Sequence, residues 1–452
     1  MKTSPDPHRR QFLRASALAS ASALAAPLIY GQEKVSKRYR TALVGTGWWG
    51  MNILGEAMRA GRSKIVALCD VDQRYLNPAA ARVEKETGDK PALYGDFREL
   101  LEKEKPEIVI VATPDHWHPL ITIAAVEAGA HVYVEKPIGH TIAEGRAMVK
   151  AARATGKVVQ VGTHRRVSPH NVSGMEFLKS GKAGEIGSVR AFVHYGGGRE
   201  KPSKNSEPPA ELDWEMWCGP APKRHYCENE KQWGDAIHAR GWRKYLDYAN
   251  GTLGDWGIHW MDQILWWTDE KYPKKAYATG GRPIKGAPIY NEEQQTTDVP
   301  DHMVATYEFE GFTAHWEHRN FAANNAEKGE NVGCYFYGTN GTFHMGWIGG
   351  WTFYPASKTE KVIHQPAALH EPDQQNIREL WTDLLHAIES GERPVCDIET
   401  GHLSTNVSLL GMLSMKLGRS VEWDGANEQI IGDEEANQLL RREYRGEWEY
   451  PV

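Results

Sequence analysis

Residues 40–50 read RTALVGTGWWG, an apolar strand that runs directly into a glycine-rich turn. Glycines are required there because the backbone bends tightly, admits a pyrophosphate against its N–H groups, and lets the following helix pack on the strand. A second apolar strand, 65–69, ends at Asp70, where a carboxylate can accept hydrogen bonds from both hydroxyls of a ribose. The spacing predicts a dinucleotide-binding domain. NAD is favoured over NADP, because a 2′-phosphate would meet the charge of Asp70.

Two further loops point to the same ligand. Short β-branched runs alternate with helical stretches up to residue 162, the pattern of parallel strands joined by crossover helices. Residues 113–118 (Thr-Pro-Asp-His-Trp-His) and 135–137 (Glu-Lys-Pro) each follow a strand and reach the carboxyl edge of the sheet, where doubly wound folds bind ligands. We therefore expect a Rossmann domain over 39–162. Its expected cofactor-binding residues are Gly45, Gly47, Trp48, Trp49, Gly50, Asp70, Thr113, Pro114, His118, Glu135 and Lys136. The alternative is a glycine-rich turn followed by a helix-capping aspartate.

The second half of the chain has a different rhythm. From residue 163 onward, longer strands are joined by turns, as at 188–195, 303–310, 312–319 and 332–337. We expect an α/β fold in which a C-terminal α/β domain over 163–435 carries a large, mostly antiparallel open sheet, followed by a tail at 436–452. Residues 196–241 have few periodic apolar positions. They are either a long insertion or lid near the site, or a surface excursion without ligand contact.

The composition argues against two classes of partner. The 452 residues include 53 Lys and Arg against 59 Asp and Glu, a formal net charge of −6, with no long basic run, so nucleic acid has no electrostatic footprint. No apolar run approaches the roughly 20 residues of a bilayer span. We therefore expect no membrane association once residues 1–31, a predicted export signal, are removed. The chain has five scattered cysteines. Cys218 and Cys227 could form a disulfide if the protein reaches an oxidising compartment, but single buried thiols are the favoured interpretation.

Residues 1–31 resemble a twin-arginine export signal. Arg9 and Arg10 precede an Ala/Ser/Leu stretch at 15–26, which breaks at Pro27. The resemblance implies that the protein is exported already folded, to the periplasm or otherwise out of the cytoplasm. The alternative is a ragged amphipathic N-terminal helix with two chance arginines.

The ordered motifs resemble those of the glucose-fructose oxidoreductase, inositol dehydrogenase and MocA (Gfo/Idh/MocA) family. Besides the glycine turn, Asp70 and the two loops, the segment Gly-Thr-Leu-Gly-Asp-Trp-Gly-Ile-His at 251–259 is similar to the family's glycine-rich Asp-x-x-x-His segment. The resemblance covers nearly the whole mature chain. It implies a Rossmann domain joined to an α/β domain, NAD(P)-dependent oxidoreductase activity on carbohydrates, and a homo-oligomer.

Lys136, Asp255 and His259 are the expected catalytic residues. Hydride exchange between a secondary alcohol and nicotinamide requires a proton acceptor and a positive group near the developing alkoxide. Asp255 and His259 are four residues apart, which places them on one face of a helix. The family resemblance implies that Lys136 is the proton donor or acceptor and oxyanion partner, His259 the proton relay, and Asp255 the orienting carboxylate. The alternatives are a salt bridge from Lys136 to Glu135, helix capping by Asp255, and a core position for His259.

Substrate contacts are expected from His259 and, by the family resemblance, from His164 and Arg166 in the turn that follows residue 161; cofactor contact is the alternative for this turn. The chain has 17 Trp and 18 Tyr, and flat aromatic faces suit the apolar face of a pyranose. A carbohydrate is therefore the expected small-molecule partner. An Asp255/His259 metal site lacks an evident third ligand, so no metal is expected.

Export places a requirement on the cofactor. Little free NAD exists outside the cytoplasm, so an exported dehydrogenase would stall if it lost its cofactor at each turnover, and we expect the nucleotide to stay bound. The first hypothesis is an exported NAD(P)-dependent oxidoreductase that acts on a sugar by hydride transfer. The second is a redox-neutral, NAD-dependent glycoside hydrolase that acts by transient oxidation and elimination. The third is a non-catalytic sugar-binding protein, which the presence of all three catalytic candidates disfavours.

Overall fold

A parallel sheet of six strands forms the N-terminal layer of the computed structural model, which describes residues 37–229, 233–324, 326–327 and 329–452. The predicted export signal at 1–31 lies outside the described residues. The strands are β1 (Tyr39–Val44), β2 (Ser63–Cys69), β3 (Ala92–Tyr94), β4 (Ile108–Val111), β5 (His131–Val134) and β6 (Val159–Val161). The helices between them are α1 (Trp48–Arg59), α2 (Gln73–Thr87), α3 (Phe97–Glu104), α4 (His118–Glu127) and α5 (Ile142–Thr155).

The strand order of this sheet is β3-β2-β1-β4-β5-β6, and its neighbouring strands are parallel. This is the order of a doubly wound Rossmann fold, so the predicted fold of the N-terminal half is confirmed. The order in which strands are added to the sheet reverses between β1 and β4, and ligands of such sheets bind outside the carboxyl ends of the strands at this switch point. The glycine turn after β1 and the loop after β4 both lie there.

A second sheet of ten strands dominates the C-terminal half. Its strands are β7 (Ile186–His194), β9 (Lys275–Gly281), β11 (His302–Glu308), β12 (Thr313–Arg319), β13 (Val332–Gly338), β14 (Gly341–Gly346), β15 (Trp351–Pro355), β16 (Ile363–Gln365), β17 (Val421–Asp424) and β18 (Gln429–Ile430). The order is β16-β15-β14-β13-β7-β12-β11-β9-β17-β18. Neighbours are antiparallel except β7 and β12, which are parallel. The predicted large, mostly antiparallel sheet is confirmed. Two short strands, β8 (Ser203–Lys204) and β10 (Gln294–Gln295), pair separately.

Helices cover one face of the large sheet. Two helices of this half, α7 (Trp214–Cys218) and α9 (Pro372–Ser390), belong to other core clusters. The helices under the large sheet are α6 (Pro169–Lys179), α8 (Ile258–Thr268), α10 (Ile398–Leu417) and α11 (Glu434–Gln438), of which α8 and α10 contribute most to the core. Alternate residues of β12, such as Ala314 and Trp316, are buried under them, while the residues between are half-buried. This packing fixes α8, the helix that carries His259.

Parts of the C-terminal half pack on the parallel sheet. The apolar face of α9, including Leu380, Trp381 and Leu384, shares a core cluster with β1 and α1. The segment predicted as a tail, 436–452, is also folded against the N-terminal half: the Trp448 ring centroid lies 4.8 Å from that of Trp117. Helix α9 and the segment 436–452 thus complete the hydrophobic core around the parallel sheet. The core of the N-terminal half therefore includes residues beyond the domain boundary predicted near residue 162.

All five cysteines are buried and unpaired, as the favoured interpretation of the sequence held. Cys218 and Cys227 lie in the segment 196–241. The Cys218 Sγ contacts the Tyr248 hydroxyl, and the Cys227 Sγ accepts a hydrogen bond from the Ile237 backbone N–H. Within the described ranges, no helix has both the length and the apolar composition to cross a membrane.

Candidate active site

A cavity of about 960 Å³ opens at the carboxyl edge of the parallel sheet. The glycine turn and the loops after β4 and β5 form one side, and the segment 196–241 with the start of α8 forms the other. Nearly all of the predicted site residues line it: Gly45, Gly47, Trp48, Trp49, Asp70, Thr113, Pro114, His118, Glu135, Lys136, His164, Asp255 and His259. Residues from both halves of the sequence therefore meet in one space.

The glycine turn is shaped by three different demands. Gly45 has a φ of +93°, and a Cβ there would lie 2.6 Å from the carbonyl oxygen of Ala112. A Cβ on Gly50 would overlap the carbonyl oxygen of Gly45, whereas a Cβ on Gly47 would meet no atom within 4 Å. Gly45 and Gly50 thus permit the turn and the packing of α1, and Gly47 leaves open space at the N-terminus of α1. Gly50 does not line the cavity, so it shapes the turn and does not provide the predicted direct contact.

Lys136 and Asp255 form an ion pair inside the cavity. The Lys136 Nζ donates to Asp255 Oδ1 at 2.7 Å and to the Asp255 carbonyl oxygen at 2.8 Å. The two side chains are 14% and 25% exposed. Burial alone would raise the pKa of Asp255, but the Lys136 ammonium and the Arg243 guanidinium outweigh burial and lower the pKa below its ordinary value. Asp255 is therefore an ionised carboxylate that holds the ammonium in place.

His259 lies beside this pair. Asp255 occupies a π-helical turn, Leu253–Gly257, that leads directly into α8, so His259 follows it within the same helical run. Burial, reinforced by the Lys136 charge, lowers the pKa of His259 well below its ordinary value. The imidazole is therefore neutral at neutral pH and can accept a proton. Its Nδ1 has no hydrogen-bond partner among the described residues.

Aromatic rings enclose the space around His259. The ring centroids of Trp347 and His164 lie 4.9 and 5.6 Å from that of His259. Trp256 packs against Trp347 at 4.9 Å, with ring planes at 68°. His164 is buried, and burial lowers its pKa well below the ordinary value, so it too is neutral. These rings form a wall beside the Lys136–Asp255 ion pair.

The loops after β4 and β5 brace each other through His118. One ring nitrogen lies 2.7 Å from the Pro137 carbonyl oxygen and the other 2.9 Å from that of Thr113. Burial lowers the pKa of His118 to about 4, so the ring is neutral and one of the two nitrogens donates. His118 thus ties the loop that carries Lys136 to its neighbour at the sheet edge.

Arg166 does not line the cavity. Its Nε donates to Asp262 Oδ2 at 2.8 Å, and its guanidinium lies 5.4 Å from the ring centroid of Trp266. Asp262 is itself buried in α8, and a buried carboxylate is stable only when a cation compensates it. The predicted substrate contact is therefore replaced by an ion pair that supports α8, whereas His164, two residues earlier, does face the cavity.

Three family models match the chain. A model described as an oxidoreductase family, NAD-binding Rossmann fold matches residues 39–163, a Gfo/Idh/MocA C-terminal domain matches 222–344, and an oxidoreductase family C-terminal alpha/beta domain matches 291–450. The chain belongs to the Gfo/Idh/MocA oxidoreductase family. The family predicted from the motifs is confirmed, and so is NAD as the nucleotide of the Rossmann domain.

The individual proteins that this chain resembles have low sequence identity to it. A glycosyl hydrolase family 109 protein from Stenotrophomonas maltophilia (strain K279a) is 30% identical over 189 residues, covering 40% of this chain and 41% of that protein. The chain spans less than half of the length of the curated relatives it matches. Levoglucosan dehydrogenase, in complex with NADH and levoglucosan, gives a TM-score of 0.63 at 19% identity over 85% of this chain and 99% of that one. The WlbA dehydrogenase from Bordetella pertussis, in complex with NADH and UDP-GlcNAcA, gives 0.61 at 18% identity over 85% and 99%.

The residues of this Gfo/Idh/MocA chain fit the dinucleotide. Open space at Gly47 faces the N-terminus of α1, where backbone N–H groups attract an anion such as a pyrophosphate. Asp70 stands at the end of β2 and accepts hydrogen bonds from Thr46 N at 2.7 Å and Asp72 N at 3.0 Å. Arg74 is engaged by Asp72 at 2.7 Å and is thereby held by a carboxylate, which limits its use for a 2′-phosphate. The nicotinamide supplies a hydride acceptor when the dinucleotide is bound.

Several cavity residues escaped the sequence-based prediction. They are Asp115, Tyr195, Arg199, Arg240, Arg243, Trp256, Lys285 and Trp347, all of which line the cavity. Asp115 carried a usable signal, because it lies in the loop after β4 at the predicted ligand-binding edge. Trp347 carried none, since it reaches the cavity from a turn after β14 that has no motif. Among the described residues, no group of three or more His, Cys, Asp or Glu side chains is arranged to hold a metal ion.

Proposed function

We propose that this protein oxidises a secondary hydroxyl of a carbohydrate, with NAD held in the Rossmann domain as hydride acceptor. The observation that carries the proposal is the Lys136–Asp255 ion pair at 2.7 Å, in the same cavity as the neutral His259 and the glycine turn. A base, a cation and a dinucleotide cradle are the parts that alcohol oxidation requires.

Each of the three residues has a distinct part in the proposed reaction. The Lys136 ammonium, held by Asp255, stabilises negative charge on the substrate oxygen as its proton leaves. His259 is neutral because burial lowers its pKa, so it can take that proton. Asp255 remains ionised and fixes the position of Lys136. In the reverse direction the same groups return the proton.

The aromatic wall supports a sugar as the substrate. Trp256, Trp347 and Tyr195 line the cavity close to His259, and the centroids of Tyr195 and Trp256 are 5.9 Å apart. Such faces stack on the C–H side of a pyranose, while the charged pair addresses a hydroxyl. The levoglucosan and UDP-GlcNAcA complexes of structurally similar proteins agree with this substrate class.

Redox-neutral glycoside cleavage is the second candidate. It is favoured by the sequence match to glycosyl hydrolase family 109 proteins, at 25 to 30% identity over part of the chain. In this reaction the sugar is first oxidised at one carbon, which acidifies the neighbouring C–H bond and permits elimination of the aglycone. Addition of water to the resulting double bond would then complete the cleavage, and the reduced nucleotide would supply the hydride that restores the hydroxyl. The two candidates therefore share their first step.

A sugar panel separates the candidates. Purified protein is mixed with free sugars, levoglucosan and 4-nitrophenyl glycosides, while reduced nicotinamide and nitrophenol are followed by absorbance. We expect a stable reduced-nicotinamide signal with at least one free sugar. Nitrophenol release without that signal would instead establish cleavage, and no signal with any compound would contradict both candidates. Heat-denatured protein should release NAD and little NADP.

We propose that the cofactor stays bound and that the described parts of the segment 196–241 help to retain it. This segment is hydrogen-bonded to the loop that follows Asp70, through Gln73 N to Glu211 O and Asp213 N to Val71 O, both at 3.0 Å. The Arg240 guanidinium lies 4.5 Å from the ring centroids of both Trp48 and Trp233, so it joins the segment to the glycine turn. The interpretation of 196–241 as a lid is favoured by these contacts.

Replacing Arg240 with alanine should accelerate NAD release. Two cation–π contacts contribute about 1–2 kcal/mol in total, so we expect the dissociation rate to rise about 5- to 30-fold. The dissociation rate is measured by mixing NADH-loaded protein with an excess of NAD and following the fluorescence of the reduced nicotinamide as NADH is released. Arg98→Ala is the matched control, because Arg98 stacks on Trp448 at 4.7 Å outside the cavity. An unchanged release rate in Arg240→Ala would remove this segment from cofactor retention.

We also propose export through the twin-arginine route. The support is the sequence of residues 8–26, with its paired arginines and short Ala/Ser/Leu stretch. A retained cofactor agrees with export of a folded protein, since cofactor and fold would leave the cytoplasm together.

A further inference from the structure

Asp115 is a carboxyl group of the cavity that the proposed proton transfer does not use. It begins a 3₁₀ turn, Asp115–Trp117, at the carboxyl end of β4, and it is 3% exposed. It lines the cavity, and its carboxyl oxygens make no hydrogen bond or ion pair with the residues that the structure describes. Buried polar groups almost always have partners, so the partner of Asp115 is to be sought in the cavity.

The charged groups that face Asp115 leave it uncompensated. They are Asp255 and Arg243 from the C-terminal half and Glu135 and Lys136 from the loop after β5. Both cations are committed to Asp255: Lys136 at 2.7 Å, and Arg243 Nε at 3.8 Å. Burial, and then the Asp255 charge, raise the pKa of Asp115 well above its ordinary value. The pKa values of these two carboxyls of one cavity are thus shifted in opposite directions.

Two carboxyls whose surroundings push their pKa values apart commonly divide the roles of acid and base in one site. Asp255 is the ionised member, and it is occupied by Lys136. A protonated carboxyl is a strong hydrogen-bond donor, and neutral sugars offer hydroxyl, ring or glycosidic oxygens as acceptors. In a carbohydrate, such an oxygen lies on the carbon next to the one that is oxidised.

We propose that Asp115 is a substrate-binding acid, which donates a hydrogen bond to an oxygen neighbouring the hydroxyl that Lys136 and His259 address. This rests on the proposed function, because it places a carbohydrate in the cavity. It narrows the substrate class to sugars and glycosides with vicinal oxygens. Removing the donor should weaken binding about 5- to 150-fold, the effect of leaving one buried partner unsatisfied.

The protonation state can be tested without any substrate. Infrared difference spectra of wild type and Asp115→Asn at neutral pH should show the carbonyl stretch of a protonated carboxylic acid, present in wild type and lost in the variant. Asp383→Asn is the matched control, because burial also raises the pKa of Asp383 but its carboxylate accepts hydrogen bonds outside the cavity. A spectrum with no protonated acid at Asp115 would overturn the proposal, whatever the sugar panel shows.

The donor role is tested by binding. Levoglucosan and D-glucose are titrated into NAD-loaded wild type, Asp115→Asn and Asp115→Ala, with the emission of the cavity tryptophans as readout. The amide of Asn still donates, so Asp115→Asn should bind within about 3-fold of wild type, whereas Asp115→Ala should show the full loss. Melting temperatures confirm that each variant is folded. Equal affinity of Asp115→Ala and wild type would overturn the proposal.

The pH dependence gives a separate signature. An acid that binds while protonated loses its contribution as pH rises through its pKa, so wild-type affinity should fall on the alkaline side. Asp115→Asn carries no such proton, and its affinity should stay constant over that range. The same alkaline loss in both proteins would assign it to another group and overturn the proposal. If no sugar reduces NAD but these binding results hold, the proposed oxidation fails and the Asp115 site stands.

Discussion

Lys136→Ala is expected to lower turnover about 100- to 10,000-fold while NAD stays bound. The Lys136 ammonium is the cation to which we assign stabilisation of the substrate oxygen, and two hydrogen bonds from its Nζ hold it to Asp255. Alanine removes the positive charge that stabilises the substrate oxygen while His259 takes its proton. Binding of the dinucleotide relies instead on the glycine turn and Asp70, which this change does not touch.

The loss of Lys136 should also change its neighbours. Asp255 would lose the main charge that lowers its pKa, and His259 would lose a charge that keeps its own pKa low. We therefore expect the residual activity of Lys136→Ala to follow a different pH profile from wild type. Lys136→Arg keeps the charge but not the compact ammonium geometry, and should recover only part of the rate.

Three measurements check this expectation. Single-turnover reduction of bound NAD gives the rate, nucleotide released on denaturation gives the occupancy, and thermal unfolding checks the fold. Lys103→Ala is the control, because that lysine pairs with Glu99 on an exposed helix face. Full activity in Lys136→Ala would refute the assigned role. Loss of NAD together with activity would show that Lys136 acts through cofactor binding.

The Rossmann half was predictable because its signals are local. Gly45 has a positive φ, and Gly50 lies so close to Gly45 that a side chain there would clash. Both requirements for glycine therefore arise within one short turn of the chain. The ends of β2, β4 and β5 were equally readable, since parallel strands deliver their following loops to one edge. Most of the cofactor-side cavity follows from these two facts.

The long-range packing was not predictable from pattern alone. The amphipathic pattern of a helix such as α9 indicates that one of its faces is buried. It does not indicate that this face packs on β1 and α1 of the N-terminal half. The parallel pairing of β12 with β7 likewise joins strands more than a hundred residues apart. Arg166 was misassigned for the same reason, because its partner Asp262 lies 96 residues further along the chain.

The segment 196–241 shows a different limit. Three of its buried side chains are aromatic, Trp214, Trp217 and Tyr226, and they belong to a core cluster of its own in largely irregular backbone. Such a cluster has neither the helical nor the strand period, so the sequence left its role open between lid and surface excursion. Only the contacts to Asp72 and Trp48 show which face it covers.

Glu144→Ala is expected to lower the free energy of unfolding by about 3–5 kcal/mol, the effect of leaving a buried charge without its partner. Glu144 is fully buried. Its Oε1 accepts from Arg442 Nε at 2.8 Å and the Tyr444 hydroxyl at 2.7 Å. Its Oε2 accepts from the backbone N–H groups of His140 and Thr141 at the start of α5. One carboxylate therefore joins the C-terminal segment to the Rossmann half.

The stability effect should depend on pH with a defined sign. Burial alone would raise the pKa of Glu144, but Arg442 and the other partners outweigh it, so the pKa lies below the ordinary value of 4.5. A depressed pKa means that the stabilisation is complete above about pH 4.5 and is lost as the pH falls through the folded value. Urea unfolding of wild type and Glu144→Gln at pH 7 and at pH 4 should show the difference shrinking at the lower pH.

A double variant distinguishes the charge from the packing. If the loss in Glu144→Ala comes from an uncompensated Arg442, then Glu144→Leu combined with Arg442→Met should recover most of the stability, because apolar residues of similar volume need no partner. If the loss comes from the missing helix-capping acceptor, the double variant should remain destabilised. Glu99→Ala, which removes an exposed ion pair, should leave the free energy of unfolding almost unchanged, because solvent screens that pair. Arg442 also donates to the carbonyl oxygen of His116, next to Asp115, so Glu144 secures the cavity loop as well as the chain end.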